Sequence, residues 1–187
     1  GKELPAKALD EILTDHAEVF TELKEYYKQT SESDTTKISF YEDTYSLYNL
    51  YRFAHYYEEA YGKYIWLKSG ASLVIEHTEA MTVIDVNTGS VLKKKKQEDT
   101  LFYQINREAA KEIARQLRLR NISGIIMIDF INMKDTAQKE KLLSLLDSEC
   151  KKDRVHCNVI DMTALNLVEM TRSKVRKPLH EQIRSCM

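Results

Sequence analysis

The feature that most constrains the fold is an unbroken apolar run at residues 125–128, which lies between two long amphipathic segments. Such a run is typical of a strand at the centre of a sheet. Residues 100–119 before it and 136–151 after it carry apolar side chains at helical spacing, which predicts two helices. Further runs rich in β-branched and aromatic residues predict strands at 64–67, 72–76, 81–86 and 155–160. We therefore predict an α/β fold, α+β-like in having a mixed sheet, with covering helices.

The N-terminal third has a different pattern of predicted secondary structure. We predict a helix at residues 18–29, a short strand at 37–41 and a helix at 46–61, whose apolar and aromatic side chains form a stripe. This stripe could stack on nucleic-acid bases, or it could be core or interface. Composition changes near Gly62, so we predict one domain over residues 1–62 and another over 63–187.

The composition indicates a globular protein. The chain has 187 residues, of which 43% are hydrophobic, and no apolar run is long enough to cross a bilayer. Its three cysteines form no disulfide framework, which favours a reducing, cytoplasmic location without membrane contact. Because residue 1 is Gly rather than Met, we expect a fragment or a processed chain.

Charge is distributed unevenly along the sequence. Residues 1–62 hold 6 Lys/Arg and 13 Asp/Glu, whereas residues 63–187 hold 22 and 16. A basic C-terminal part is compatible with a polyanionic partner, because neutralised phosphates release counterions. Two ordinary solvated surfaces would give the same distribution.

Two carboxylates stand at chemically informative positions. Asp85 lies within a predicted strand, where alternation places Asn87 on the same face. Asp129 closes the apolar strand, and ligands gather at the carboxyl ends of strands in α/β sheets. Two such acids on neighbouring strands would suit Mg²⁺, which prefers oxygen ligands. Alternatively, each Asp caps a following turn or helix.

Basic side chains cluster at two places. A run of four lysines follows the Asp85 strand and could hold an RNA backbone, or could be a solvated loop: Lys93, Lys94, Lys95 and Lys96. Arg172 begins a second basic cluster near the C-terminus, which has the same two interpretations. The sequence shows no Walker loop, dinucleotide glycine pattern or zinc-like His/Cys spacing.

Six segments in a fixed order resemble the ribonuclease E/G family: residues 67–76, 78–89, 108–120, 124–133, 152–154 and 167–172. The resemblance covers residues 63–178 well and residues 8–62 more loosely. It implies a deoxyribonuclease I-like catalytic subdomain, preceded by part of a ribonuclease H-like subdomain.

The resemblance also implies a function. Asp85 and Asp129 would hold a catalytic Mg²⁺, and Asn87 would support the site. The implied activity is endonucleolytic hydrolysis of single-stranded RNA to 5′-phosphate and 3′-hydroxyl ends, in RNA processing and decay. A homo-oligomer is implied for the full-length form.

The sequence also departs from the family pattern. Asn132 stands where the family usually has a second Asp, and His156 where it often has Arg. The family's RNA-binding barrel, 5′-end sensor and zinc-binding cysteine pair have no counterpart here, so we expect no zinc. These departures leave a second hypothesis open, a catalytically silent RNA-binding or assembly module. A third is a phosphodiesterase acting on DNA or a sugar phosphate.

Overall fold

The computed structural model describes residues 10–30, 36–89 and 98–184. The chain divides into two compact units between Tyr56 and Tyr57, six residues before the predicted seam. In the first unit, strands β1 (Glu11–Thr14) and β2 (Lys37–Phe40) pair in parallel, and helix α1 (Ala17–Thr30) lies between them in the chain. Strand β1 was not predicted, whereas α1 and β2 agree with the predicted helix and strand.

The helix predicted over residues 46–61 is wrong as a single element. The structure has a short helix α2 (Leu47–Leu50) and a second helix α3 (Phe53–Tyr61). Between them Arg52 has a φ of 50°, a left-handed conformation that ends a right-handed helix. The aromatic stripe is therefore not continuous, and Tyr48, Tyr51 and Tyr57 are exposed.

The second unit contains a mixed sheet with covering helices, which confirms the predicted α/β class. Its strands are β3 (Tyr64–Trp66), β4 (Ser72–His77), β5 (Met81–Asn87), β6 (Gly124–Asp129), β7 (Cys157–Met162) and β8 (Leu167–Arg172). Its helices are α4 (Glu98–Leu119), α5 (Thr136–Cys150) and α6 (Leu179–Arg184). The six strands lie in the order β3-β4-β5-β6-β8-β7, and only β5 and β6 pair in parallel.

One face of this sheet is packed and the other is open. Alternate side chains of the central strands are fully or almost fully buried with the apolar sides of α4 and α5: Leu73, Ile75, Ile84, Val86, Ile126, Ile128, Val168 and Met170. The intervening side chains lie on the opposite face, where Met81 is 36% and Ile125 is 49% exposed. The apolar run is thus a central strand as predicted, but it is buried on one face only. No helix in the described ranges is both long and apolar enough to pass through a bilayer.

Candidate active site

The structure places Asp85 and Asp129 side by side. They are register partners in the parallel pair of β5 and β6. Register partners on adjacent strands project to the same face, and adjacent strands are about 4.8 Å apart. Asp85 is half-buried and Asp129 is exposed, so both carboxylates lie on the open face. This geometry allows both groups to reach a single cation or its water shell.

Burial on the opposite face fixes which way these acids point. Ile84 and Ile128 precede the two acids and are completely buried, and Val86 is nearly so. A slip of one residue in either strand would bury a carboxylate and expose an isoleucine, so register is strongly specified. The same apolar side chains that build the core therefore hold both acids at the surface.

Asn87 lies on the same face as Asp85 and contacts it directly. Its Nδ2 donates a hydrogen bond of 2.6 Å to Asp85 Oδ2. This bond restricts the rotation of the carboxylate, and Asn87 itself is exposed. The site thus offers two carboxylates and one neutral oxygen, a donor set suited to a hard cation.

The electrostatics of the pair also favour a cation. Partial burial and, secondarily, the negative charge of Asp85 raise the pKa of Asp129 above its ordinary value. The negative charge of Asp85 opposes ionisation of Asp129, and a bound cation would offset that repulsion. Within the described residues no group of three or more His, Cys, Asp or Glu side chains could hold a metal, so waters or substrate would have to complete the shell.

The alternative that these acids are caps is not supported by the hydrogen bonds. Helix α5, which follows Asp129 in the chain, is capped by Asp135, whose Oδ1 accepts from Ala137 N at 2.9 Å. Among the described residues neither Asp85 nor Asp129 accepts a bond from a backbone N–H.

Two residues that shape the site were not predicted from the sequence, Asn106 and Gly89. Asn106 on α4 is completely buried, and its side chain donates to Ile131 O at 2.7 Å and accepts from Ile131 N at 3.0 Å. These two hydrogen bonds hold the segment that leaves β6 just after Asp129. The sequence signal that could have identified it is a polar residue among the apolar positions of the predicted helix, since polar groups buried there need hydrogen-bond partners.

Gly89 fixes the chain just beyond Asn87. Its φ is +55°, and a Cβ atom there would lie 2.7 Å from the carbonyl oxygen of Gly70. Gly70, in the turn between β3 and β4, also has a positive φ. Only a residue without a side chain allows these two backbone segments to approach so closely.

The predicted RNA-backbone contacts have different outcomes. Lys93, Lys94, Lys95 and Lys96 lie outside the described residues. Arg172 is placed where the predicted contact could not form, because it is only 4% exposed and its guanidinium forms hydrogen bonds inside the unit. It bonds Asp153 at 2.9 Å and also donates to Asn121 Oδ1 and Ile122 O. Its position on the inward face of β8 explains the burial.

The fold and the paired acids define a class: an α/β domain with an oxygen-rich site on the open face of its sheet. Comparison with known proteins identifies the family. The model of the ribonuclease E/G family matches residues 2–175, and the chain belongs to that family. It is 38% identical over 171 residues to ribonuclease G of Escherichia coli K12, covering 91% of this chain and 35% of that protein.

Other relatives agree. Ribonuclease G of Haemophilus influenzae is 39% identical, covering 91% of this chain and 35% of that protein. Ribonuclease E of Nostoc sp. PCC 7120 is 34% identical, covering 92% of this chain and 26% of that protein. The chain thus spans about a third or less of the length of these relatives.

Proposed function

We propose that the protein is a magnesium-dependent endoribonuclease that hydrolyses single-stranded RNA to 5′-phosphate and 3′-hydroxyl ends. The observation that carries the proposal is the register pairing of Asp85 with Asp129 on the open face of the sheet, within a chain of the ribonuclease E/G family. An open face is required because a polymeric substrate must reach the acids along its length.

The residues present fit a magnesium ion. Asp85 and Asp129 would hold it, with Asn87 orienting Asp85 and offering its own oxygen. A magnesium ion bound there supplies Lewis acidity, which activates water and neutralises charge on the phosphate. The protein's part is to hold two carboxylates on adjacent strands and to leave the space above them free for the phosphodiester.

The test is cleavage of a 5′-monophosphorylated single-stranded RNA by the protein with magnesium, followed by chemical identification of both new ends. Asp85→Asn and Asp129→Asn should each abolish cleavage. Glu169→Gln is the matched control, because Glu169 lies on the same face but its register partners are Met127 and Asp161, neither of which is an acid of the site. It should cleave at the rate of the unaltered protein.

Three results would count against this proposal. Full activity in both Asn variants would overturn the assignment of the acids. A 5′-hydroxyl product would overturn the chemistry. RNA binding without turnover by the unaltered protein, with magnesium present, would favour the RNA-binding module instead.

A further inference from the structure

The edge strand β3 presents two large aromatic side chains to solvent. Tyr64 is 59% exposed and Trp66 is 73% exposed, whereas Ile65 between them is only 6% exposed. The alternation shows that Ile65 faces the core and that the two rings lie on the opposite, open face. An exposed tryptophan makes little contribution to the core, so burial does not explain its presence here.

The strand register connects these rings to the acids. Tyr64 pairs with Val74, Val74 with Asp85, and Asp85 with Asp129, so these side chains form one row across the open face. A second row joins Trp66, Ser72 and Asn87. Strand β3 lies two strand spacings from β5, a separation of roughly 10 Å.

Cationic side chains lie beside Trp66. Together with Trp66, Lys68 and Lys111 line a cavity of about 410 Å³ at the β3 edge, on the side where α4 packs. Neither ammonium group forms an ion pair within the described residues. The nearby Glu108 carboxylate is already engaged, because it accepts from the backbone N–H groups of Lys68 and Ser69 at 2.7 and 3.3 Å. Glu59 and Glu112 also line the cavity, and both pair with Arg115. This edge therefore combines exposed aromatic rings with two lysines that have no carboxylate partner among the described residues.

We propose that Tyr64 and Trp66 form a stacking platform that binds a base of single-stranded RNA close to the scissile phosphate. The proposal rests on the proposed function, because it places the platform beside the acids that would carry out cleavage. Aromatic rings next to cations are the usual means of binding single strands without reading their sequence. Unstacked bases are required, so a duplex should not use the platform.

The single tryptophan of the chain provides a direct assay. Selective excitation of Trp66 in an Asp129→Asn background reports binding of a single-stranded RNA oligonucleotide without cleavage. Stacking should quench the emission at saturation, and the same sequence as a duplex should not. Quenching in this background reports the platform independently of turnover.

Substitutions separate stacking from mere apolar contact. Trp66→Leu should weaken RNA binding about 5- to 150-fold, the range that corresponds to stacking of one base. Trp66→Phe should restore most of the affinity, because it keeps an aromatic face. Tyr45→Ala is the control, since Tyr45 is also exposed but lies in the other unit and outside the aromatic stripe, and the affinity of this variant should be unchanged.

The outcomes distinguish this proposal from the proposed function. If RNA binds and is cleaved but Trp66 emission and the affinity of Trp66→Leu do not change, the platform is overturned and the nuclease assignment stands. If Trp66 is quenched and its replacement weakens binding in a protein that never cleaves, the platform stands and the nuclease assignment falls. If no RNA binds, both are overturned.

Discussion

Replacement of Asp129 by Asn should separate the contribution of this side chain to folding from its contribution to metal binding. Asp129 is exposed, accepts no hydrogen bond from the described residues, and faces Asp85, whose charge helps to raise its pKa. Asparagine therefore removes a repulsion rather than a stabilising contact. In metal-free buffer at neutral pH, we expect Asp129→Asn to increase the free energy of unfolding by about 0.2–1 kcal/mol, the scale of exposed charge pairs.

Magnesium should reverse the order of stability, so that the unaltered protein becomes more stable than Asp129→Asn. A ligand that binds only the native state stabilises it by about 1.4 kcal/mol at ten times its dissociation constant. This gain exceeds the repulsion and is available to the unaltered protein but not to Asp129→Asn. Urea unfolding at increasing magnesium concentration should therefore show the two stability curves crossing, and Glu169→Gln should follow the unaltered protein.

The pH dependence of the free energy of unfolding provides a second test of whether Asp129 is destabilising. Because the folded-state pKa of Asp129 is raised, its destabilising effect is present above that pKa and is lost as the pH falls through it. The metal-free difference between the unaltered protein and Asp129→Asn should shrink at acidic pH. A loss of more than about 1 kcal/mol in Asp129→Asn at neutral pH would refute the reasoning, because stabilising structural contacts would then outweigh the repulsion. An equal magnesium response in both proteins would refute the metal site.

Three further substitutions test the framework around the acids. Asn106→Ala should cost about 1–3 kcal/mol in urea unfolding, since it leaves partly buried backbone groups of Ile131 unpaired, and should also slow cleavage. Arg172→Met should cost about 3–5 kcal/mol by stranding its buried partner carboxylate, whereas Lys174→Met, which breaks an exposed pair, should cost under about 1 kcal/mol. Gly89→Ala should lower the thermal midpoint more than Gly124→Ala, because both have positive φ but only Gly89 has a backbone atom in the way.

Local patterns predicted the elements that carry the acids. Alternation in β5 correctly placed Asp85 and Asn87 on one face, and the apolar run correctly located β6. Such local patterns could not predict which strands lie next to β5 and β6 in the sheet. Strand β8 inserts between β6 and β7, although it follows both in the chain. That order depends on packing between distant segments, and no local periodicity encodes it.

Arg172 and Asn106 show the same limit for side chains. A run of basic residues indicates a solvated or polyanion-binding surface only if the strand turns them outward. Arg172 alternates with Met170 and Val168, so it shares their buried face and takes Asp153 as its partner. The sequence shows the charge but not the face, because β8 was not predicted as a strand. Asn106 likewise gains its role only from the closeness of Ile131 in the folded unit.

One-sided packing is what makes this sheet able to carry such a site. Helices α4 and α5 pack on the same face, and the side chains next to the two acids, Ile84 and Ile128, are completely buried there. A carboxylate moved to either position would lie in that core and be strongly destabilising unless paired. On the open face the same acid needs only water, and its repulsion by a neighbouring acid becomes a means of attracting a cation. The same one-sided packing leaves Tyr64 exposed in the row of the acids and Trp66 exposed in the next row. The acids and the proposed platform therefore share one structural cause.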